Sequence, residues 1–142
     1  MNNREKVIAR ANDVANKHKG NYATIALMLE NGYPTASTIT ITNADGIKAL
    51  YFAGDINQNK ARRATANNRA SICISSADYN ITLVGTVEVI TDPKIKAENW
   101  LDAWSQYWTN SDHPDFCAFR FKTETFNICF MDGDYLEDNG IL

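Results

Sequence analysis

The sequence predicts a mainly β fold of the α+β class: an antiparallel barrel, closed or half-closed, with peripheral helices. Three observations predict it. Runs of β-branched and large apolar residues recur along the chain, bounded by Asn-Gly or Asp-Gly turn signals. Only three stretches carry helical periodicity. The early strands are joined by hairpin-length turns rather than helices, which disfavours a doubly wound parallel sheet. A chain of 142 residues with 44% hydrophobic and 22% charged residues fits one globular domain over residues 1–142.

The first element is an amphipathic helix from about Asn3 to Lys19. Val7, Ile8, Ala11, Val14 and Ala15 share one face, and Gly20 supplies the stop behind Lys17, His18 and Lys19. Tyr22 to Leu29 is then a strand, Glu30 to Pro34 a turn, and Thr35 to Thr42 a second, alternating strand. Asn43-Ala44-Asp45-Gly46 is a second hairpin turn and Ile47 to Ala53 a third strand, so these three are expected to form a meander. A second helix runs from about Gln58 to Asn68, with Asp55 or Asn57 as its cap. Ala70 to Ser76 and Ile81 to Thr91 are the fourth and fifth strands. Gly85 inside the fifth marks a bulge or a close approach of another group. Asp92-Pro93 opens a third helix reaching Trp108, with Trp100, Trp104 and Trp108 at i, i+4 and i+8. Phe116 to Lys122 and Thr125 to Met131 are two last strands, giving six or seven in all. The acidic tail from Asp132 is expected to be solvated.

Several function classes lose support at once. The formal charge of −3 is a poor prior for a general nucleic-acid binder. No apolar run approaches the ~20 residues of a membrane helix. The polar start, Met1 to Lys6, does not resemble a secretory signal. Cys73, Cys117 and Cys129 are odd in number and widely spaced, which speaks against a disulfide framework and for a reducing, cytoplasmic setting. All three fall in predicted strands among apolar residues and read as buried thiols. His113 lies in Asp112-His113-Pro114-Asp115, where a helix-ending turn is favoured over an acid–base or metal role. No metal-ligand spacing is present.

The informative segment is Asp55 to Arg69. Lys60, Arg62, Arg63 and Arg69 place four of the 14 basic residues in ten positions, without an acid between Asp55 and Asp78. A lysine in the first turn of a helix, with free amide groups beside it, is a competent phosphate site. A solvated basic helix face and a nucleic-acid contact are the competing readings. Helix geometry is expected to set Arg62 and Arg63 on faces other than that of Lys60. The hydroxyls of Ser37, Thr38, Thr40 and Thr42 either line a ligand slot or mark a wet strand face. The tryptophan stripe either stacks on a planar ligand or is core or a subunit interface, the latter being favoured.

An ordered set of short motifs adds to this. Asn31-Gly32-Tyr33-Pro34 precedes a polar strand, and Leu50-Tyr51-Phe52-Ala53-Gly54 precedes Asn59-Lys60 at a helix start. Asn67-Asn68-Arg69-Ala70-Ser71-Ile72 is followed by Val84-Gly85-Thr86-Val87-Glu88-Val89 and then Asp92-Pro93. Over about Tyr22 to Met131 this set resembles the pyridoxamine 5′-phosphate oxidase-like flavoproteins, and most closely their general-stress-protein branch. The resemblance implies a split β-barrel that binds FMN at the interface of a homodimer. It implies that Lys60 grips the FMN phosphate, with Asn59 beside it. Ser37, Thr38, Ile39 and Thr40 would run along the ring and ribityl chain. Phe52 and Ala53 would form the strand end near the phosphate, and Asn80 would reach the flavin. Two family donors are missing, because Ser37 stands where relatives often carry Arg, and Ala53 where they carry Thr or Ser. Arg62 or Arg63 could compensate. Nothing near Arg120 to Cys129 matches the substrate-phosphate pocket of the vitamin-forming oxidases.

Three functions follow as expectations. The first is an FMN-dependent oxidoreductase passing hydride through the flavin, with a small-molecule substrate, reduced nicotinamide among the candidates. The second is a non-catalytic module holding flavin, heme or a deazaflavin. The third is a small nucleic-acid-binding barrel, the least favoured.

Overall fold

A computed structural model describes residues 1–142. The chain runs α1 (Asn3–Asn16), β1 (Tyr22–Met28), β2 (Pro34–Thr40), β3 (Asn43–Asp45), β4 (Ala49–Asp55), α2 (Asn59–Ala66), β5 (Arg69–Ser75), β6 (Tyr79–Ile90), α3 (Pro93–Glu98), a 3-10 turn (Asp102–Trp104), α4 (Ser105–Trp108), β7 (Phe116–Phe130) and β8 (Leu136–Ile141). Every strand pair is antiparallel, in the order β2-β1-β5-β6-β7-β4-β3, with β8 against β7. The sheet curls into a half-barrel. Its two flanks, β2 and β4, come close without pairing, so the barrel stays split along that seam.

The predicted mainly β, antiparallel split barrel with peripheral helices is therefore the fold, but several elements differ from their local signals. The expected meander is only a hairpin. β1 pairs β2 from Tyr22↔Thr40 to Met28↔Pro34, around a turn in which Gly32 has φ +85°. β4 leaves that neighbourhood and pairs β7 instead, and the predicted turn at Asn43–Asp45 is itself the short strand β3 against β4. Alternation identifies a strand but is silent about its partner.

β7 is one strand of 15 residues where two were expected. One edge carries β6 throughout. The other carries β4 along its first half and β8 along its second. The register with β6 shifts between Val84 and Gly85, leaving Glu124 unpaired as a bulge. A Cβ on Gly85 would overlap the Lys122 carbonyl oxygen, so the glycine anticipated as a close approach is one. The acidic tail is not free: Leu136–Ile141 forms β8, which brings the strands to eight. Arg4 donates to Asp138 at 2.7 Å and to the Asn139 carbonyl at 3.0 Å, and Arg10 donates to Asp132 at 2.8 Å. Both guanidinium groups also lie over core rings, Arg4 over Phe126 and Arg10 over Phe130 at 4.1 Å.

α1 stops at Asn16, with Lys17 as its C-cap, rather than at Lys19. Val7, Ala11 and Ala15 are fully buried, as their i, i+4, i+8 spacing requires. Asn12 and Asn16 accept the Ile47 and Gly46 amides at 2.9 and 2.7 Å, tying α1 to the β3–β4 turn. The third helix is broken. Asp92 caps α3 through the Lys94 and Ile95 amides, with Pro93 at its first position as expected, but α3 ends at Glu98. Asn99 is buried, accepting from Thr42 at 2.7 Å and donating to Ile95 at 2.9 Å. The three tryptophans still converge. Trp100, Trp104 and Trp108 stand 5.0, 6.0 and 5.3 Å from the Phe116 ring, covering it from successive turns.

The core is continuous from α1 through both halves of the sheet to α2. At its centre Phe52 and Phe119 stack at 4.6 Å with planes 3° apart, a contact worth about 0.5–1.5 kcal/mol beyond the area buried. Cys117 is buried, whereas Cys73 and Cys129 are only half-buried. No helix is long and apolar enough to cross a membrane.

Candidate functional site: a cationic cleft at the split seam

A cleft of ≈ 540 Å³ opens where β2, the end of β4 and the start of α2 meet. Ser37 enters from β2, Ala53 from β4, and Asn59, Lys60, Arg62 and Arg63 from α2, with Trp108 closing one side. The split places it there: an unpaired seam leaves room that a closed barrel would fill with side chains.

The loop between β4 and α2 is held from three directions. The Asp55 carboxylate accepts from the Asn57 amide at 2.8 Å and from Trp108 Nε1 at 3.1 Å. Asp115 accepts from the Ile56 amide through its carbonyl at 2.8 Å and from Asn57 Nδ2 through its carboxylate at 3.0 Å. His113 shapes the Asp115 turn, its Nδ1 lying 3.0 Å from the Asp115 amide and its carbonyl accepting from Lys96 Nζ at 3.0 Å. That matches the turn role expected for this histidine.

α2 itself begins without a side-chain cap. Gln58 occupies the N-cap position and makes no capping bond, and neither Asp55 nor Asn57 caps the helix as anticipated. The first-turn amides are therefore not satisfied by a side-chain cap, and no acid stands in that turn. The four ion pairs of the chain are Arg4–Asp138, Arg10–Asp132, Lys17–Asp13 and Arg120–Glu88. None involves α2, so Lys60, Arg62 and Arg63 enter the cleft without a carboxylate partner. Asp55 is the only acid in the lining, and its oxygens are committed to Asn57 and Trp108.

Arg62 and Arg63 correct an expectation. They were expected to face away from Lys60, yet all three line one cleft. Lys60 and Arg63 are i and i+3, neighbours on a helix surface, and that spacing was the available signal. Arg62 folds back onto the Asn57 carbonyl at 3.0 Å and onto Asn59 Oδ1.

The other anticipated residues are placed as follows. Ser37, Ala53, Asn59 and Lys60 come together in the cleft. Thr38, Ile39 and Thr40 continue along β2 outside its lining. Ile39 and Phe52 point into the core, so each can meet a ligand only through its backbone. Asn80 lies at the other end of the sheet. It pairs with Cys129, while Ala53 pairs with Ala118, eleven residues earlier on β7, about 35 Å at ~3.3 Å per residue. Asn80 donates to Thr82 Oγ1 at 2.9 Å and accepts from Cys73 at 3.4 Å, within its own face of the sheet. Sequence reasoning missed Trp108 and Asp55 as cleft residues, because their contact spans 53 positions.

Cys117, the cross-strand partner of Gly54 on β7, has its thiol pushed up to about 12 by burial and by the nearby Asp55 carboxylate, and so stays protonated. No three of His, Cys, Asp and Glu stand together in metal-ligating geometry.

A curled antiparallel half-barrel split along one seam defines a fold class, and comparison with known proteins agrees with that fold. The family model for pyridoxamine 5′-phosphate oxidase matches residues 12–130, so the chain belongs to that family. No curated protein matches the chain at the sequence level. Among solved structures it is similar to a Clostridium acetobutylicum protein related to general stress protein 26 of B. subtilis, at 23% identity and TM-score 0.80, covering 97% of this chain and 96% of that one. It is similar to a pyridoxamine 5′-phosphate oxidase-related, FMN-binding protein of Nostoc punctiforme, at 14% identity and TM-score 0.67, covering 96% and 86%. A heme-binding protein of Mycobacterium smegmatis matches at 23% identity and TM-score 0.70, covering 95% of this chain and 57% of that one. At these identities the structural likenesses establish the fold.

Proposed function

We propose that this protein is an FMN-binding oxidoreductase that works as a homodimer with the flavin at the interface. The carrying observation is the seam cleft, where three cations without carboxylate partners meet the uncapped start of α2. Such a site suits a phosphate dianion, which draws on the helix dipole, on free amide groups and on charge-assisted hydrogen bonds together. The residues present fit the phosphate even though Ser37 and Ala53 replace two family donors, because Arg62 and Arg63 bring cations to the same cleft. Bound flavin would supply hydride chemistry, and the chain would supply position and electrostatics. Lys60 would hold the phosphate, β2 would run along the ligand, and Trp108 would wall the cleft from water. Hydride transfer through a flavin requires no acid–base side chain of the lining. The substrate would be a small molecule, with reduced nicotinamide as one candidate.

The alternative of a heme module is less well supported by the lining. No histidine, cysteine, methionine or tyrosine lines the cleft to serve as an axial ligand. His18 Nε2 lies 2.7 Å from the Tyr22 carbonyl, and His113 is built into its turn. The absorbance spectrum of the purified protein, with and without added FMN, tests the flavin reading. Oxidation of reduced nicotinamide by the FMN-loaded protein then separates an enzyme from a carrier. A flavin spectrum that survives gel filtration is expected. A Soret band, or failure to retain FMN, would overturn the reading.

A further inference from the structure

A second cleft of ≈ 750 Å³ lies on the other side of the Arg62 and Arg63 side chains, between the β1–β2 turn and α2. Asn59, Arg62 and Arg63 line both clefts, so the two are continuous across the guanidinium groups. Lys60 belongs to the seam cleft alone. The cations are thus spread over a greater length than one phosphate occupies. The outer cleft also has an apolar part, with Met28 and Leu29 half-buried at the end of β1 and Ala66 on α2. Two amide groups complete it. The side-chain oxygens of Asn31 and Asn67 accept the Tyr33 and Arg69 amides at 3.1 Å each, which leaves both Nδ2 groups without a protein partner. Glu30 is the only carboxylate in the lining.

We propose that this outer cleft binds a nucleotide: a phosphate on Arg62 and Arg63, and a planar base against Met28 and Leu29 with Asn31 and Asn67 as donors. The proposal rests on the flavin reading only for what occupies the neighbouring cleft. The occupant's chemistry, a phosphate ester bearing a planar base, has two sources. It is either the adenylate half of a dinucleotide flavin whose other phosphate sits on Lys60, or a separate adenine nucleotide. The volume falls within the range of small-molecule sites, and the mixed apolar and cationic lining suits a base joined to a phosphate.

The test titrates FMN, FAD and ADP into the full-length flavin-free protein, and ADP into the FMN-loaded protein. Wild type is compared with Ala66→Glu and Ala66→Gln. Ala66 is an exposed helix position outside the seam cleft, where Glu and Gln are good helix formers. A dinucleotide flavin predicts that FAD binds about tenfold more tightly than FMN, the value of one further charge-assisted contact. Ala66→Glu would then erase that advantage and leave FMN within about twofold, and Ala66→Gln would keep most of it. A separate nucleotide predicts that ADP binds FMN-loaded wild type and is lost in Ala66→Glu. The proposal is overturned if FAD binds no better than FMN and ADP does not bind the loaded protein. It is equally overturned if whichever of the two appears, the FAD advantage or ADP binding to the loaded protein, is indifferent to Ala66→Glu. Failure of FMN to bind would instead sink the flavin function, and the ADP arm on the flavin-free protein would still decide this cleft.

Discussion

Lys60 is the residue on which the proposed chemistry turns. It lines a cleft beside the uncapped start of α2 and makes no ion pair. Lys60→Ala should weaken FMN binding by about 1.5–3 kcal/mol, the usual contribution of a hydrogen bond to a charged group. Riboflavin, without the phosphate, should bind the variant and wild type alike. Fluorescence-quenching titrations of both ligands check this, and equal losses would show that Lys60 acts on the ring or on folding. Gly85 makes a structural prediction at the same scale. Because a Cβ there would overlap the Lys122 carbonyl oxygen, Gly85→Ala must open the bulge between β6 and β7. A loss of about 3 kcal/mol or more is expected in denaturant titration. A change within experimental error would mean that the strands separate freely at that point.

Elements show where local signals stop. α1, α2 and the strands other than β3 and β8 were legible in position, though β7 read as two strands, because apolar periodicity and turn residues are properties of adjacent positions. The long helix ending at Trp108 was misread because the tryptophan spacing fits one helix. Yet Asn99 is drawn into a buried bond with Thr42, 57 positions away, and the helix breaks there. β8 was missed for the same reason. Its acids read as solvated, but Asp138 meets Arg4 across 134 positions. In the cleft, Lys60, Ser37, Ala53 and Asn59 were found through motif order, whereas Asp55 and Trp108 depend on a tertiary contact.

The β8 clamp also carries a pH dependence. The Arg10 and Arg4 guanidinium groups hold the Asp132 and Asp138 carboxyls below their ordinary value. A carboxylate with a lowered folded-state pKa stabilises fully above the unfolded value. That stabilisation is lost as pH falls from the ordinary carboxylate range, about 4, toward the lowered value. Protection of the Asn139 to Ile141 amides, taken relative to their intrinsic exchange rates at each pH, should therefore fall in acid before that of the β6–β7 core. In the Asp132→Asn, Asp138→Asn double variant the pH step should vanish, and the strand should exchange faster at neutral pH. A pH step that persists in the double variant would place the clamp elsewhere.

At the scale of the whole molecule, the split explains why a cleft lies at this place at all. β2 and β4 face each other unpaired, the core continues beneath them, and the cationic start of α2 borders the gap. Tyr22 and Tyr33 are largely exposed at the two ends of the β1–β2 hairpin, and Tyr107 beside Trp108. Exposed aromatics are the residue type that subunit interfaces favour. The proposed dimer would cover that side of the barrel and wall the ligand from solvent. Sedimentation velocity of the FMN-loaded protein, followed at the flavin's visible absorbance, tests flavin binding and assembly together. The flavin should move in one boundary at twice the mass of the chain. Flavin left behind as free ligand, or carried by a species of single-chain mass at micromolar concentration, would contradict it.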